Sequence, residues 1–270
     1  MRCECSERSK SIKQRLVGLH HAAGSGHLGS SLSIVEILTF IRFAWWSDGD
    51  DLILSKGHAA TALYSLLVED GSIPAEQLST YYQNGTLFAA HPPPNRLPRI
   101  PFATGSLGHG LSLAAGMAMA RQIKRQQTKV FCVTSDGELN EGSIWEAALF
   151  IAHHNLRNVV WLIDRNGIQG FGRTEDVLRM EPLAEKLSAF GFNPIAADGH
   201  DFDSLEIARQ EAMKSTRPAA IICRTTKGNG WGGMQDTVDC HYLPISAKDR
   251  QSFIDSLVSG SERSSQPSPP

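Results

Sequence analysis

Three stretches of the chain, "KVFCVTS", "NVVWLIDRN" and "AAIICRTT", are almost continuous apolar runs. A strand with one face in water alternates apolar and polar residues, whereas a run that is apolar at nearly every position is buried on both faces. "DLILS" and "PIAAD" are shorter strand candidates of the same kind. Between and around them lie segments of helical period: "SKSIKQRLVGLHHAA", "HAATALYSLLVED", "GLSLAAGMAMARQIKRQ", "EGSIWEAALFIAHH", "EPLAEKLSAF" and "DFDSLEIARQEAMKS". "SLSIVEILTFIRFA" reads as one more helix, capped by Ser30 or Ser31. Strands covered on both faces and alternating with helices make an α/β fold, a parallel sheet with helices on both faces. Ligands of such sheets bind outside the carboxyl ends of the strands. The loops after Val133, Ile163 and Thr225 are therefore where function is expected.

Composition bounds the reading. The 270 residues are 41% hydrophobic and 20% charged, enough apolar material for a real core. A net charge of -2 gives no reason to expect nucleic acid or an anionic membrane as partner. "LSIVEILTFIRFAWW" is broken by Glu36 and Arg42, so it reads as a core helix and not a membrane span. No apolar stretch follows the charges of "MRCECSERSK", so no signal peptide is visible. The five scattered cysteines suggest reduced thiols and a cytoplasmic setting. Cys3 and Cys5 form a C-x-C with no second pair, which does not make a zinc site. Residues 1–258 read as one domain, and 259–270, "SGSERSSQPSPP", as a Ser/Pro-rich disordered tail.

"TSDGELNEGSIWEAALF" follows the first buried strand with an acidic, glycine-containing turn and then a helix. Asp136 ends that strand and Asn166 ends the next, about thirty residues on, one crossover unit. Adjacent parallel strands would bring a carboxylate and an amide oxygen to one point. Both are hard oxygen ligands, suited to Mg²⁺ that keeps most of its coordination for water and phosphate. Gly137 allows close backbone approach to an anion, and the helix starting near Asn140 turns its N–H groups the same way. The pattern points to a metal–diphosphate site.

These residues resemble the transketolase family. "SDGELNEGSIWEAALFIAHHNLRNVVWLIDRNGIQ" is similar to its thiamine diphosphate motif, which runs from Gly-Asp-Gly to an Asn about thirty residues later. "GSGHLGSSLSIVEIL", "LSKGHAATALYSLL", "TGSLGHGLSLAAGMAMA", "DGHDFDSL" and "RTTKGNGWGGMQDTVDCHY" match further family segments in the same order. The resemblance covers nearly the whole chain up to about Tyr242 and implies the thiamine diphosphate-binding fold with Mg²⁺. It implies that Asp136, Asn166 and the carbonyl of Ile168 hold the metal, that Gly137 and Glu138 contact the cofactor, and that His58 reaches its phosphate or thiazolium side. Gly105, Ser106 and Leu107 would touch the aminopyrimidine through their backbone. His27, His91 and His241 match the histidines of the substrate channel, with His241 also close to the cofactor; their implied work is hydrogen bonding and proton transfer. Glu141 and Glu146 match carboxylates of the family's dimer interface, although Glu141 is equally explained by the helix dipole. His20, His21, His153 and His154 match nothing and read as helix-surface or core residues, and Trp145 and Trp161 as core.

The chain also departs from the family. Ser135 replaces the first Gly of Gly-Asp-Gly, "GHLG" stands for Gly-His-Pro-Gly, and "AWWSDGDDLILS" is short. No segment matches the family's pyrimidine-binding domain, which carries the glutamate that activates the cofactor. The resemblance therefore implies one chain of a split transketolase-like enzyme. It would act with a C-terminal pyrimidine-domain subunit in an α2β2 heterotetramer, transferring a two-carbon ketol unit from a small ketose to an aldehyde. Two alternatives stay open: another thiamine diphosphate-dependent carbon–carbon ligase or decarboxylating enzyme, and a non-catalytic chain that binds cofactor or partner.

Overall fold

The computed structural model describes residues 2–259. The Ser/Pro-rich tail, apart from Ser259, lies outside the described residues. The strands are β1 (Asp51–Leu54), β2 (Val130–Ser135), β3 (Val159–Arg165), β4 (Ile168–Gln169), β5 (Gly172–Arg173), β6 (Asn193–Asp198) and β7 (Ala219–Arg224). Five of them form a sheet ordered β1-β2-β3-β7-β6, parallel at every pairing, and β4 and β5 make a small antiparallel hairpin. The helices are α1 (Arg2–Ala23), α2 (Leu28–Leu32), α3 (Val35–Phe40), α4 (Ala60–Glu69), α5 (Gly110–Ile123), α6 (Gly142–His153), α7 (Thr174–Val177), α8 (Leu183–Ala189), α9 (Phe202–Lys214), α10 (Asp239–Tyr242) and α11 (Ala247–Ser259).

The apolar runs divide residue by residue between two layers, as the period of a strand requires. Leu52, Leu54, Phe131, Val133, Val160 and Leu162 face a core shared with Leu16 of α1, Ile37 of α3, Leu63 of α4 and Leu205 of α9. Ile53, Val130, Cys132, Val159, Trp161 and Ile163 face the opposite core, with Leu111 and Ala114 of α5, Ile144 and Ala148 of α6 and Leu187 of α8. Each fully buried Leu, Ile or Phe stabilises such a core by about 1.5–3 kcal/mol. The small residues of α5 let it lie close against β2 and α6. Trp161 is wholly buried, while Trp145 is half-buried and donates its indole N–H to the Leu139 carbonyl at 2.8 Å.

The stretch expected as one helix capped by Ser30 or Ser31 is divided. Helix starts at Leu28, stops at Ser33 and Ile34, resumes as α3 and closes in a π-helical turn over Ile41–Trp45. Ser30 and Ser31 lie buried inside α2, and the Ser31 hydroxyl meets Thr61 Oγ1 at 2.7 Å. The break frees Ser33 to donate to Asp164 at 2.8 Å, so a buried polar contact outweighs helical continuity. The apolar run Leu28–Trp45 is 83% buried within the fold, which accounts for it as core.

Candidate functional site

The carboxyl ends of β1, β2, β3 and β7 lie side by side and carry buried charge. Asp136 follows β2. Its Oδ1 accepts the Gly137 N–H at 2.8 Å and its Oδ2 accepts the Gly167 N–H at 2.6 Å, so one carboxylate ties the β2 turn to the β3 turn. Burial, reinforced by the nearby Asp164, pushes Asp136 up to about 6. A carboxylate in that position favours an added cation. Asn166 Oδ1 accepts the Ile168 N–H at 3.1 Å, and the Ile168 carbonyl accepts the Lys227 ammonium at 2.8 Å. Burial and the neighbouring Lys56 ammonium lower Lys227 to about 8. Among the described residues no three His, Cys, Asp or Glu side chains form a metal cluster. The available donors are one carboxylate, one amide and one carbonyl, a hard oxygen set suited to Mg²⁺ beside phosphate.

Beneath this layer sits a network that sequence reasoning missed. Asp164, on β3, is fully buried and accepts from Ser33 at 2.8 Å, from Asn166 Nδ2 at 2.9 Å, and from Lys56 and Thr225. Burial alone would raise its pKa, but the Lys56 ammonium and the Thr225 and Ser33 hydroxyls outweigh it and hold Asp164 low. The Asn166 amide is thereby oriented: its nitrogen faces Asp164 and its oxygen faces the loop. The available signal was strands ending in charge, "LSK", "WLID" and "RTTK". Glu138 is also placed differently from a cofactor contact. Its side chain turns inward, accepting the Ser55 hydroxyl at 2.5 Å and the N–H groups of Gly108 and Ser135 at 2.9 Å each. It anchors the loop that carries Gly105, Ser106 and Leu107, of which Ser106 and Leu107 are exposed.

Three of the four expected histidines converge. Ring centroids lie 4.7 Å apart for His27 and His241, 5.5 Å for His27 and His58, and 5.7 Å for His58 and His241. The His27 backbone N–H donates to the His241 carbonyl at 2.8 Å. His27 holds a left-handed φ of 67°, a strained conformation for a residue with a side chain. Gly57 makes the approach of the His58 turn possible, because a Cβ there would fall 2.6 Å from the Thr104 backbone. His91 sits apart on an exposed loop, its ring against Gly105 and its carbonyl held by Tyr64 Oη at 3.1 Å. Burial lowers all four rings; Lys227 then adds to it at His241, which falls to about 3. At neutral pH they are uncharged imidazoles, able to give and take hydrogen bonds. The Nδ1 atoms of His27 and His241 are buried without a hydrogen-bond partner. Buried polar atoms are normally paired, and two orphans in one cluster mark where a ligand would satisfy them.

Other expectations fall elsewhere. Glu141 stands at the amino end of α6 and Glu146 lies on its outward face; both are exposed. His20 is core and His153 and His154 are exposed. All five cysteines are free. A cavity of about 240 Å³ near Cys5, Phe40 and Phe202 shares no residue with the site.

The family model described as transketolase, thiamine diphosphate binding domain matches residues 10–257. The chain is 36% identical over 249 residues to one of the subunits of the apulose-4-phosphate transketolase of Actinobacillus succinogenes, covering 88% of this chain and 90% of that protein. It is 36% identical over 232 residues to the 6-deoxy-6-sulfo-D-fructose transketolase subunit SqwG of a Clostridium species, covering 82% and 84%. The crystal structure of Campylobacter jejuni transketolase superposes with a TM-score of 0.86 at 27% identity over 94% of this chain, which spans only 42% of that longer chain. The chain belongs to the transketolase family, and what it holds of that family is the thiamine diphosphate binding domain.

Proposed function

We propose that this chain is the thiamine diphosphate- and Mg²⁺-binding subunit of a two-chain transketolase-like enzyme. In this reading it moves a two-carbon ketol unit from a small ketose to an aldehyde. The observation that carries the reading is the meeting of Asp136, Asn166, Ile168 and Lys227 at the strand ends with the orphaned Nδ1 atoms of His27 and His241. Asp136, the Asn166 oxygen and the Ile168 carbonyl would hold the metal, and Gly137 would admit the diphosphate close to the backbone. Lys227 would turn from the Ile168 carbonyl toward diphosphate oxygen. Bound there, thiamine diphosphate supplies the carbon nucleophile that the protein side chains lack. His58 and the backbone of Gly105, Ser106 and Leu107 would position it. His27, His91 and His241, uncharged at neutral pH, would hydrogen-bond donor and acceptor oxygens and pass protons between them.

A separate pyrimidine-domain chain would complete the site and exclude water from it. Glu141 and Glu146 stand on the outward side of α6, where Leu149 and Phe150 are 56% and 41% exposed. Residues three and four apart share a helix face, so this is a mixed apolar and acidic surface suited to a partner. Two copies of each chain would form the heterotetramer. We place residues 1–258 in one domain, and the protein in the cytoplasm.

The test is reconstitution with the partner chain, followed by two-carbon transfer assays. Donors should include apulose 4-phosphate, 6-deoxy-6-sulfo-D-fructose, other ketose phosphates and α-keto acids. Ketol transfer that needs both chains and Mg²⁺ supports the reading. Activity confined to α-keto acids would favour the ligase or decarboxylase alternative. Cofactor binding without turnover of any donor would favour a purely binding role.

A further inference from the structure

Behind the strand ends, on the α1 side of the sheet, lies a second buried ionic cluster. Lys13 of α1 pairs with Glu36 Oε1 at 2.7 Å, with side chains 2% and 6% exposed. The other oxygen, Glu36 Oε2, lies 2.9 Å from Nδ1 of His200. The far ring nitrogen, Nε2, is 2.9 Å from the backbone N–H of Thr226. That N–H can only donate, so Nε2 must be the acceptor and Nδ1 must carry the proton toward Glu36. The Asn229 amide nitrogen stands 3.0 Å from Nδ1, and a flipped amide, its oxygen toward the ring, would remove the meeting of two donors there. The Thr226 and Glu36 partners fix one assignment of acceptor and donor on the ring.

Thr226 is the residue before Lys227. The same turn is fastened on its other side by Thr225, which donates to Asp164, and farther on by the Gly228 N–H to the Gly29 carbonyl at 3.0 Å. His200 itself is held in place by its own backbone N–H, which donates to Asp198 Oδ1 at 2.9 Å. We propose that His200 is a positioning residue for Lys227: by accepting the Thr226 N–H it fixes the turn that presents the Lys227 ammonium to the site. The ring takes its orientation from Glu36 and Lys13, so a rigid path runs from helix α1 to the ammonium. The proposal rests on the reading of Lys227 as a diphosphate contact, and the experiment separates the two.

His200→Gln keeps an acceptor near the place of Nε2 but has no group at Nδ1. His200→Asn keeps a donor near Nδ1 but cannot reach Thr226. Both should lower the melting temperature of the chain to a similar degree, since each loses one buried contact. Binding of thiamine diphosphate with Mg²⁺ to the reconstituted two-chain protein, measured by calorimetry, should distinguish them. His200→Asn should weaken it by about tenfold, ~1.4 kcal/mol, and His200→Gln by less than about threefold, ~0.7 kcal/mol. In a Lys227→Met background, itself weakened by about tenfold or more, His200→Asn should add almost nothing, because the two act through one group. If Lys227→Met binds like the parent, the reading of Lys227 fails. If Lys227→Met is weakened but His200→Asn adds its full effect to it, or His200→Gln loses as much as His200→Asn, the positioning role is overturned.

Discussion

The two ends of the sheet bury charge differently. At the amino ends, Arg121 of α5 closes the fold: it pairs with Asp51 and donates to the Gly49 and Lys129 carbonyls, with side chains 10% exposed for Arg121 and 32% for Asp51. At the carboxyl ends, Lys56 and Asp164 are 0% exposed, and Asp136, Glu138, Asn166 and Lys227 are all buried with them. A partly exposed pair is a modest closure that screening by water keeps inexpensive. A fully buried set of ions is rarely the most stable filling for its volume, and apolar residues often serve as well or better. The charge at the carboxyl ends is therefore a stability cost that the fold elsewhere bears.

The comparison is broken most directly at Lys56. Lys56→Met leaves Asp164 as an unpaired buried carboxylate, and urea unfolding should show a loss of about 3 to 5 kcal/mol. Arg121→Met should lose only about 1 to 2 kcal/mol. Equal losses would mean the two ends are energetically alike. Adding Asp164→Leu to Lys56→Met should restore part of the stability without restoring cofactor binding.

His20 supplies a buried imidazole away from the site. Its Nε2 meets Thr61 Oγ1 at 2.8 Å and its Nδ1 meets Ser25 Oγ at 3.0 Å, so neither nitrogen is an orphan. Burial, above all, lowers it to about 4. Below its ordinary 6.5 the unfolded chain takes up a proton that the folded chain refuses. Stability should fall between about pH 6.5 and about 4, by on the order of 3 kcal/mol at most. Urea midpoints against pH should trace this slope in the parent and flatten in His20→Gln; identical slopes would place the acid sensitivity elsewhere.

The orphaned imidazole at the site should behave in the opposite sense. His241→Ala, and His91→Ala with it, should lower turnover of the reconstituted enzyme about 10²-fold while changing the melting temperature little. Normal turnover in both, once cofactor is saturating, would remove them from the reaction. The smallest expected effect is at Asp136. Asp136→Ala should weaken calorimetric binding of thiamine diphosphate with Mg²⁺ by tenfold or more, about 1.4 kcal/mol, beside a small fall in the urea midpoint from the two N–H groups left unpaired. A fall in stability with unchanged affinity would make Asp136 a structural residue.

The sheet was legible because its central strands are unbroken apolar runs, and burial on two faces leaves one architecture. Asp136 and Asn166 were legible because strand ends can be counted and neighbouring ends must meet. The division of α2 from α3 was not, since local pattern favours continuity and the break answers to Asp164, far along the chain. Lys56, Asp164 and Lys227 were hidden for the same reason: the period of a strand says where a side chain points, not which charge waits in the opposite loop. Glu138 stood in the right motif, but its carboxylate is consumed by Ser55, Gly108 and Ser135. Membership in a motif does not fix the direction of a side chain.

The strand order also governs how the chain must fold. Val130 pairs with Val159 on one side and with Asp51 on the other, so β2 meets β3 across a crossover that holds α6 and meets β1 across a longer one that holds α4 and α5. Closing the longer loop costs more entropy and contributes to slow folding. The β2–β3 unit is expected to nucleate, with β1 and the His58 turn joining late. Asp136 and Asn166 would then be in place before the histidine cluster, whose members come from the beginning and the end of the chain. A chain paused on the ribosome before His241 emerges would hold Asp136, Asn166, His27 and His58 but lack the imidazole that closes the cluster.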